Sequence, residues 1–290
     1  MTAQAPVHII TDSSCDLDAD VTAELGITVV PLEIRFGSET FADGVELSTA
    51  EFWQRCRRSD ELPSTAAPSP GAFAEAYQRA AEAGANEVVV VTLSGDLSAT
   101  IEAAQLAAAQ PPNGLTCHVV DSRTVSAGLG LTVITAAELA AGGADGTQIV
   151  EAVRATAERV RVHAALDTLE NLRKGGRIGA AQSLLGSVLS IKPLITVTDG
   201  RVEPAGRQRT RVRALRHLID LVAAAGPNIA QIAVMHADCD DVDDFVQRIA
   251  PLTSSEPRVM LIGPVVGAHA GVGTIGVVFV ERDPPAPTRA

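Results

Sequence analysis

The sequence predicts an α/β fold in two domains: a mostly parallel sheet with helices first, then a mixed sheet with helices. Three observations carry that expectation. Val88 to Val91 is an unbroken β-branched run, suited to a strand buried on both faces. It feeds through Ser94, Gly95, Asp96 and Ser98 into helix formers at Ala99, Glu102, Ala103 and Ala104. Strand-like and helix-like stretches alternate up to Ala141-Gly-Gly-Ala-Asp-Gly146, the clearest break in composition, which implies a parallel, right-handed layer. Beyond that break, Asp199-Gly200 between two apolar stretches is a strong hairpin signal, so the second sheet is mixed.

Taken in order, Val7 to Thr11 reads as a strand ending in the turn Asp12-Ser13-Ser14, and Asp16 and Asp18 open a helix to about Leu25. Ile27 to Phe36 reads as one second strand. Ser48-Thr-Ala-Glu51 is a capping box for a helix to about Arg58. Ser59 to Ser69 reads as a long loop, after which Ser69 caps a helix that begins with Pro70. Next come the strand Thr116 to Val120 and a helix over Ser126 to Ala141. Thr147 is the expected cap of an amphipathic helix to about Val160. Strands Ser190 to Thr198 and Arg201 to Ala205, helix Thr210 to Ala225, strand Ile229 to His236, helix Asp241 to Ile249, and strands Val259 to Ile262 and Gly276 to Glu281 complete the chain. The expected domains are residues 1–146 and 147–283, and the Pro-rich tail 284–290 reads as disordered.

Composition narrows the function. At 290 residues, 46 % apolar and 20 % charged, the chain has the balance of a globular protein with a sizeable core. Aromatics make up 3 %, so Val, Leu, Ile and Ala fill that core. A net charge of −12 argues against general nucleic-acid binding, which needs clustered Lys and Arg. Cys15, Cys56, Cys117 and Cys239 are scattered without zinc spacing, so no metal is expected. The absence of a signal-peptide pattern and of a long uncharged apolar run points to the cytoplasm.

Motif tests remove several activities. No G-x-S-x-G elbow and no G-x-x-x-x-G-K-[ST] loop occur, so α/β-hydrolase and P-loop chemistry lose their support. Gly271-Val-Gly-Thr-Ile-Gly276 matches G-x-G-x-x-G in letters, but it leads into a strand rather than a helix. Other spots stand out. The strand end before Ser98 is where small ligands bind in open α/β sheets, and a helix start favours an anion. Ser98 reads equally well as a plain N-cap. Asn171-Leu-Arg-Lys-Gly-Gly-Arg177 sets two glycines beside three cations. The glycines suit a helix end, and Arg177 offers a charged fork for a carboxylate or phosphate. His269 sits between small residues after a buried strand, and its reading as a structural or a binding histidine stays open.

These stretches together resemble the DegV family of bacterial fatty-acid-binding proteins over about residues 7–281. The resemblance rests on Thr11-Asp-Ser-Ser-Cys-Asp-Leu17, Thr65 with Pro68-Ser-Pro-Gly71, and Leu97-Ser-Ala-Thr100. It continues through Val120-Asp-Ser122 with Ser126, Gly128 and Gly130, Leu172-Arg-Lys-Gly-Gly-Arg-Ile178, and Gly267-Ala-His-Ala-Gly271. It implies an acyl chain in an apolar tunnel, its carboxylate held by Thr65, Ser98 and His269, with Arg177 close behind or at a partner-docking surface. It also implies a carrier with no catalytic residues and no cofactor besides the bound fatty acid, presenting that acid to a separate fatty acid kinase. The chain departs from the family at Ala66, Ala99 and Ala270, where Ser, Gly and Thr are common. Two rival classes remain: an enzyme using Ser98 and His269 as nucleophile and base, and a sensor binding another anion.

Overall fold

The computed structural model describes residues 7–58, 62–185 and 191–283. The first strand, β1 (Val7–Asp12), is followed by α1 (Ala19–Glu24), β2 (Thr28–Val30), β3 (Glu33–Phe36) and β4 (Glu39–Ala42). The expected single strand over Ile27 to Phe36 is therefore two. Pro31 has no N–H to continue the ladder, and the next amide, Leu32 N–H, donates to the Ser13 hydroxyl at 3.1 Å. Asp16 does not open a helix. It adopts a left-handed conformation at φ 53, and α1 starts three residues later.

The capping box at α2 (Thr49–Arg58) forms as expected, with Ser48 N–H and Oγ donating to Glu51 Oε2 and Glu51 N–H donating to Ser48 Oγ. Part of the expected long loop is β5 (Ser64–Ala66), which pairs with β3 and makes β4-β3-β5 a small antiparallel sheet. Ser69 caps α3 (Pro70–Glu82), with Pro70 at its start. Then come β6 (Glu87–Thr92), α4 (Thr100–Ala108), β7 (Thr116–Asp121), α5 (Ala127–Ala141) and α6 (Gly146–Arg159). The cap of α6 is Asp145 rather than Thr147. Its carboxylate accepts from Gln148 N–H while the Gln148 side chain accepts from Asp145 N–H, a reciprocal capping box that starts the helix two residues earlier.

Strands β2-β1-β6-β7 form an all-parallel sheet. Its central strands are buried on both faces. Val88 and Val90 pack under Phe73, Tyr77 and Ala104 of α3 and α4. Val89 and Val91 pack under Leu129, Val133, Ile149 and Val153 of α5 and α6. This two-sided burial is what an unbroken valine run encodes.

The chain continues through β8 (Val160–Ala165), α7 (Glu170–Lys174), β9 (Lys192–Thr198), β10 (Arg201–Gln208), α8 (Arg211–Ala225), β11 (Ile229–His236), α9 (Val242–Ile249), β12 (Arg258–Leu261), α10 (Pro264–Ala270) and β13 (Ile275–Glu281). Six strands form a mixed sheet in the order β10-β9-β8-β13-β11-β12. Asp199 and Gly200, at φ 51 and 80, turn the β9–β10 hairpin. Ser190 and the tail 284–290 lie outside the described residues. One face of the mixed sheet packs on α8 and α9 through Leu215, Leu218, Phe245 and Ile249. The other face, with Val160, Val162 and Ala164, packs toward α2, α10 and the small sheet through Phe52, Trp53, Val265 and Ile34. The candidate site lies in this second core.

Candidate functional site

Four elements, far apart in sequence, deliver the four expected polar residues to one cavity. Thr65 stands on β5, opposite Ile34 of β3. Ser98 lies in the turn between β6 and α4. His269 is in the last turn of α10. Arg177 follows the end of α7, where Gly176 N–H donates to Arg173 O and Arg177 N–H to Leu172 O, with Gly176 at φ +70. That is a Schellman helix end, so the glycines stop the helix and in doing so aim the arginine.

Each residue is fixed by its surroundings. Gly267 lets α10 lie against α2, since a Cβ there would come within 2.7 Å of Trp53, whose indole N–H donates to Ile262 O at 2.9 Å. Asn171 ties the end of α10 to α7 through Ala268 O at 3.2 Å. Thr65 Oγ1 and His269 Nε2 share a hydrogen bond of 3.0 Å. Arg177 Nε donates to Leu97 O at 3.0 Å and its Nη1 to Gly175 O at 2.8 Å, which links the turn carrying Ser98 to the helix end beside His269. Ser98 does not cap α4. The position before the helix is Ala99, and the Ser98 hydroxyl instead pairs with Thr100 Oγ1 at 2.9 Å.

All four side chains line a cavity with an empty volume, its open mouth included, of about 870 Å³, whose remaining wall is mostly apolar, with Ser126 and Thr274 as further hydroxyl residues. Leu32, Leu93 and Leu97 contribute from the first half of the chain. Val162, Ala164, Ile195, Val197 and Val202 contribute from the mixed sheet. Ala270 is also on the wall. Thr65, Arg177 and His269 also border an outer recess that Lys174 lines; Ser98 does not reach it. Burial first, and the Arg177 charge second, push His269 down to about 4. The imidazole is therefore neutral at ordinary pH, and its Nδ1, facing Gly175, is buried without a hydrogen-bond partner among the described residues. Among the described residues, Ser98 and His269 share the cavity but not a hydrogen bond: the Ser98 hydroxyl pairs with Thr100 and the His269 ring with Thr65.

The first motif, Thr11 to Leu17, plays another part. Asp12 accepts from Ser14 N–H, Ser14 Oγ and Leu93 N–H, fastening β1 to the end of β6. Asp16 accepts from Ser126 Oγ at 2.5 Å and Gly263 N–H at 3.0 Å, joining the starts of α5 and α10. Burial pushes Asp12 and Asp43 up to about 6, and Asp16 well above the usual carboxylate range. Ser126 reaches the cavity wall, held there by Asp16. Sequence reasoning overlooked β8 and its cavity residues, although Val160, Val162 and Ala164 alternate as a strand face does. Gly271 and Gly273, at φ 80 and 78, form the turn into β13 and not a nucleotide loop. Among the described residues, no group of His, Cys, Asp or Glu is arranged to hold a metal, and no helix is long and apolar enough to cross a membrane.

Fold and site together define an α/β protein with a mostly apolar cavity that a few polar side chains line. The family model described as uncharacterised protein, DegV family, matches residues 6–282, and the chain belongs to that family. A DegV domain-containing protein of Deinococcus radiodurans is 39 % identical, over 94 % of this chain and 98 % of that one. A DegV family protein of Thermus thermophilus, whose structure is described as showing fatty acid binding, superposes with a TM-score of 0.87 at 32 % identity, covering 96 % of this chain and 100 % of its own. DegV of Bacillus subtilis, described as a fatty acid binding protein, superposes with a TM-score of 0.86 at 25 % identity, covering 96 % and 100 %.

Proposed function

We propose that this protein binds a long-chain fatty acid in the 870 Å³ cavity, holds its carboxylate with Thr65, Ser98 and His269 beside Arg177, and presents it to a separate fatty acid kinase. The observation that carries the reading is that two hydroxyls, an imidazole and a guanidinium line one mostly apolar cavity, with Thr65 and His269 hydrogen-bonded to each other. A buried carboxylate is costly unless several donors meet it, and these groups are such donors. Each methylene buried along the aliphatic wall adds about 0.8 kcal/mol. The fatty-acid binding described for the Thermus and Bacillus relatives supports the same ligand class.

In this reading the protein is a carrier, and the phosphoryl transfer belongs to its partner. The recess outside Thr65, Arg177 and His269, with Lys174 on its rim, is where the carboxylate end would meet that partner. Denaturing extraction of the purified protein into organic solvent, with mass spectrometry of the extract, tests the ligand, and a long-chain fatty acid is expected. Repeated extracts without lipid, together with no uptake of added palmitate, would overturn the assignment. Incubation with palmitate and ATP alone is expected to yield no acyl phosphate, and its formation would overturn the carrier role.

A further inference from the structure

The cavity shares lining residues with two other recesses, and these differ in chemistry. With the outer recess it shares Thr65, Arg177 and His269. On the other side, Val197 is the one described residue that lines both the cavity and a second, larger cleft with an empty volume of about 1660 Å³. That cleft is mixed in character, with Arg123, Arg154, Arg161, Asp121 and Glu158 on its walls beside Ile101, Val119, Val120 and Val160.

Register explains why a single side chain stands there. Val197 pairs with Val162 of β8 on one side and Val202 of β10 on the other, and all three valines line the cavity. Val162 and Val202 are 3 % and 5 % exposed, whereas Val197 is only half-buried, as a residue with a cleft behind it must be. Its β-branched side chain has few rotamers and cannot swing aside easily. The hairpin that carries it is also pinned. Ser94 Oγ donates to Gly200 O at 2.7 Å, Arg201 grips the Asp96 carboxylate at 2.8 and 2.9 Å, and Arg123 donates to Asp199 O at 3.0 Å.

We infer that Val197 is a stop for the methyl end of the ligand and sets the longest acyl chain the cavity accepts; the inference rests on the cavity holding an acyl chain. A chain that fits within the cavity buries every methylene. A longer one has to displace a pinned β-branched side chain and push apolar carbons toward an open cleft with charged residues on its walls, where they bury less surface. Affinity therefore rises with chain length by up to about fourfold per methylene until the cavity is full, and falls beyond that length.

The test is binding of a graded series of straight-chain saturated acids, from decanoate to docosanoate, to delipidated wild type, Val197→Ala and Val197→Phe. Val197→Ala is expected to bind acids just beyond the wild-type limit at least about tenfold tighter than wild type does. Val197→Phe is expected to move the affinity maximum to shorter acids while decanoate binding persists. Should Val197→Phe fail to fold, Val197→Leu supplies the enlarged side chain with less strain and is expected to shift the maximum the same way. Length profiles that match wild type in the smaller and the larger variant would overturn the stop while leaving the fatty-acid reading intact. A wild type that binds no acid of any length would overturn that reading and the stop together.

Discussion

Gly175 and His269 face each other so closely that a methyl group built on the glycine would overlap the imidazole Nδ1. Gly175 has an ordinary helical conformation, φ −75, so its lack of a side chain serves space and not backbone freedom. Alanine there is tolerated by the backbone and pushes directly on His269. Gly175→Ala is expected to weaken fatty-acid binding about tenfold or more, with an overpacking cost of about 1–3 kcal/mol. Isothermal titration beside thermal melting checks this, and unchanged affinity would mean that the imidazole position does not matter to the ligand.

Ser98 and Thr65 are separable from their neighbours by conservative changes. Since the Ser98 hydroxyl pairs with Thr100 Oγ1 and does not cap the helix, Ser98→Ala should cost about one hydrogen bond of stability, roughly 0.5–1.5 kcal/mol. If both hydroxyls donate to the carboxylate as proposed, each of Ser98→Ala and Thr65→Val removes a hydrogen bond to a charged group worth roughly 1.5–3 kcal/mol, on the order of ten- to 150-fold in Kd. On the proposed function the double variant should lose less than the sum, since both hydroxyls would then serve one headgroup. Affinities of wild type, both singles and the double give the answer.

Arg177 is more than a charge. Its fork spans Leu97 O and Gly175 O, two acceptors on different elements, and lysine cannot reproduce that geometry. Arg177→Lys is therefore expected to weaken binding nearly as much as Arg177→Ala. A lysine variant with wild-type affinity would reduce the role of Arg177 to electrostatics.

The pH dependence of stability has two opposing parts. His269 falls from 6.5 to about 4 on folding, so between those values the unfolded chain holds a proton that the native one lacks. Its contribution is present above pH 6.5 and is lost as pH falls toward 4, on the order of 3 kcal/mol at most. Asp12 and Asp43, raised from 3.8 to about 6, act in the opposite sense, since the native protein holds their protons and gains stability as pH falls through that range. Denaturant midpoints of wild type and His269→Gln from pH 4 to pH 7 isolate the first part. The gap between the two is expected to shift in favour of wild type as pH rises from about 4 to 6.5.

What the sequence by itself determined was local. The valine run of β6, the Ser48–Glu51 box, the Ser69-Pro70 start and the Asp199-Gly200 turn depend on contacts within a few residues, so composition and spacing suffice to read them. Family-like motifs also marked Thr65, Ser98, Arg177 and His269, but not what each would touch. Tertiary structure decided the rest. Thr65 meets His269 across 204 positions of sequence, and Arg177 meets Leu97 across 80. The carboxylate of Asp16, which looks in sequence like a helix opener, is taken up by Gly263 N–H 247 residues away. The Val162–Val197–Val202 row exists only because three strands share a register, and a slip of one residue would turn Val197 to the opposite face. Secondary structure follows from bonds along the chain, whereas a cavity is a property of which faces meet, and that is fixed only when the sheets pack.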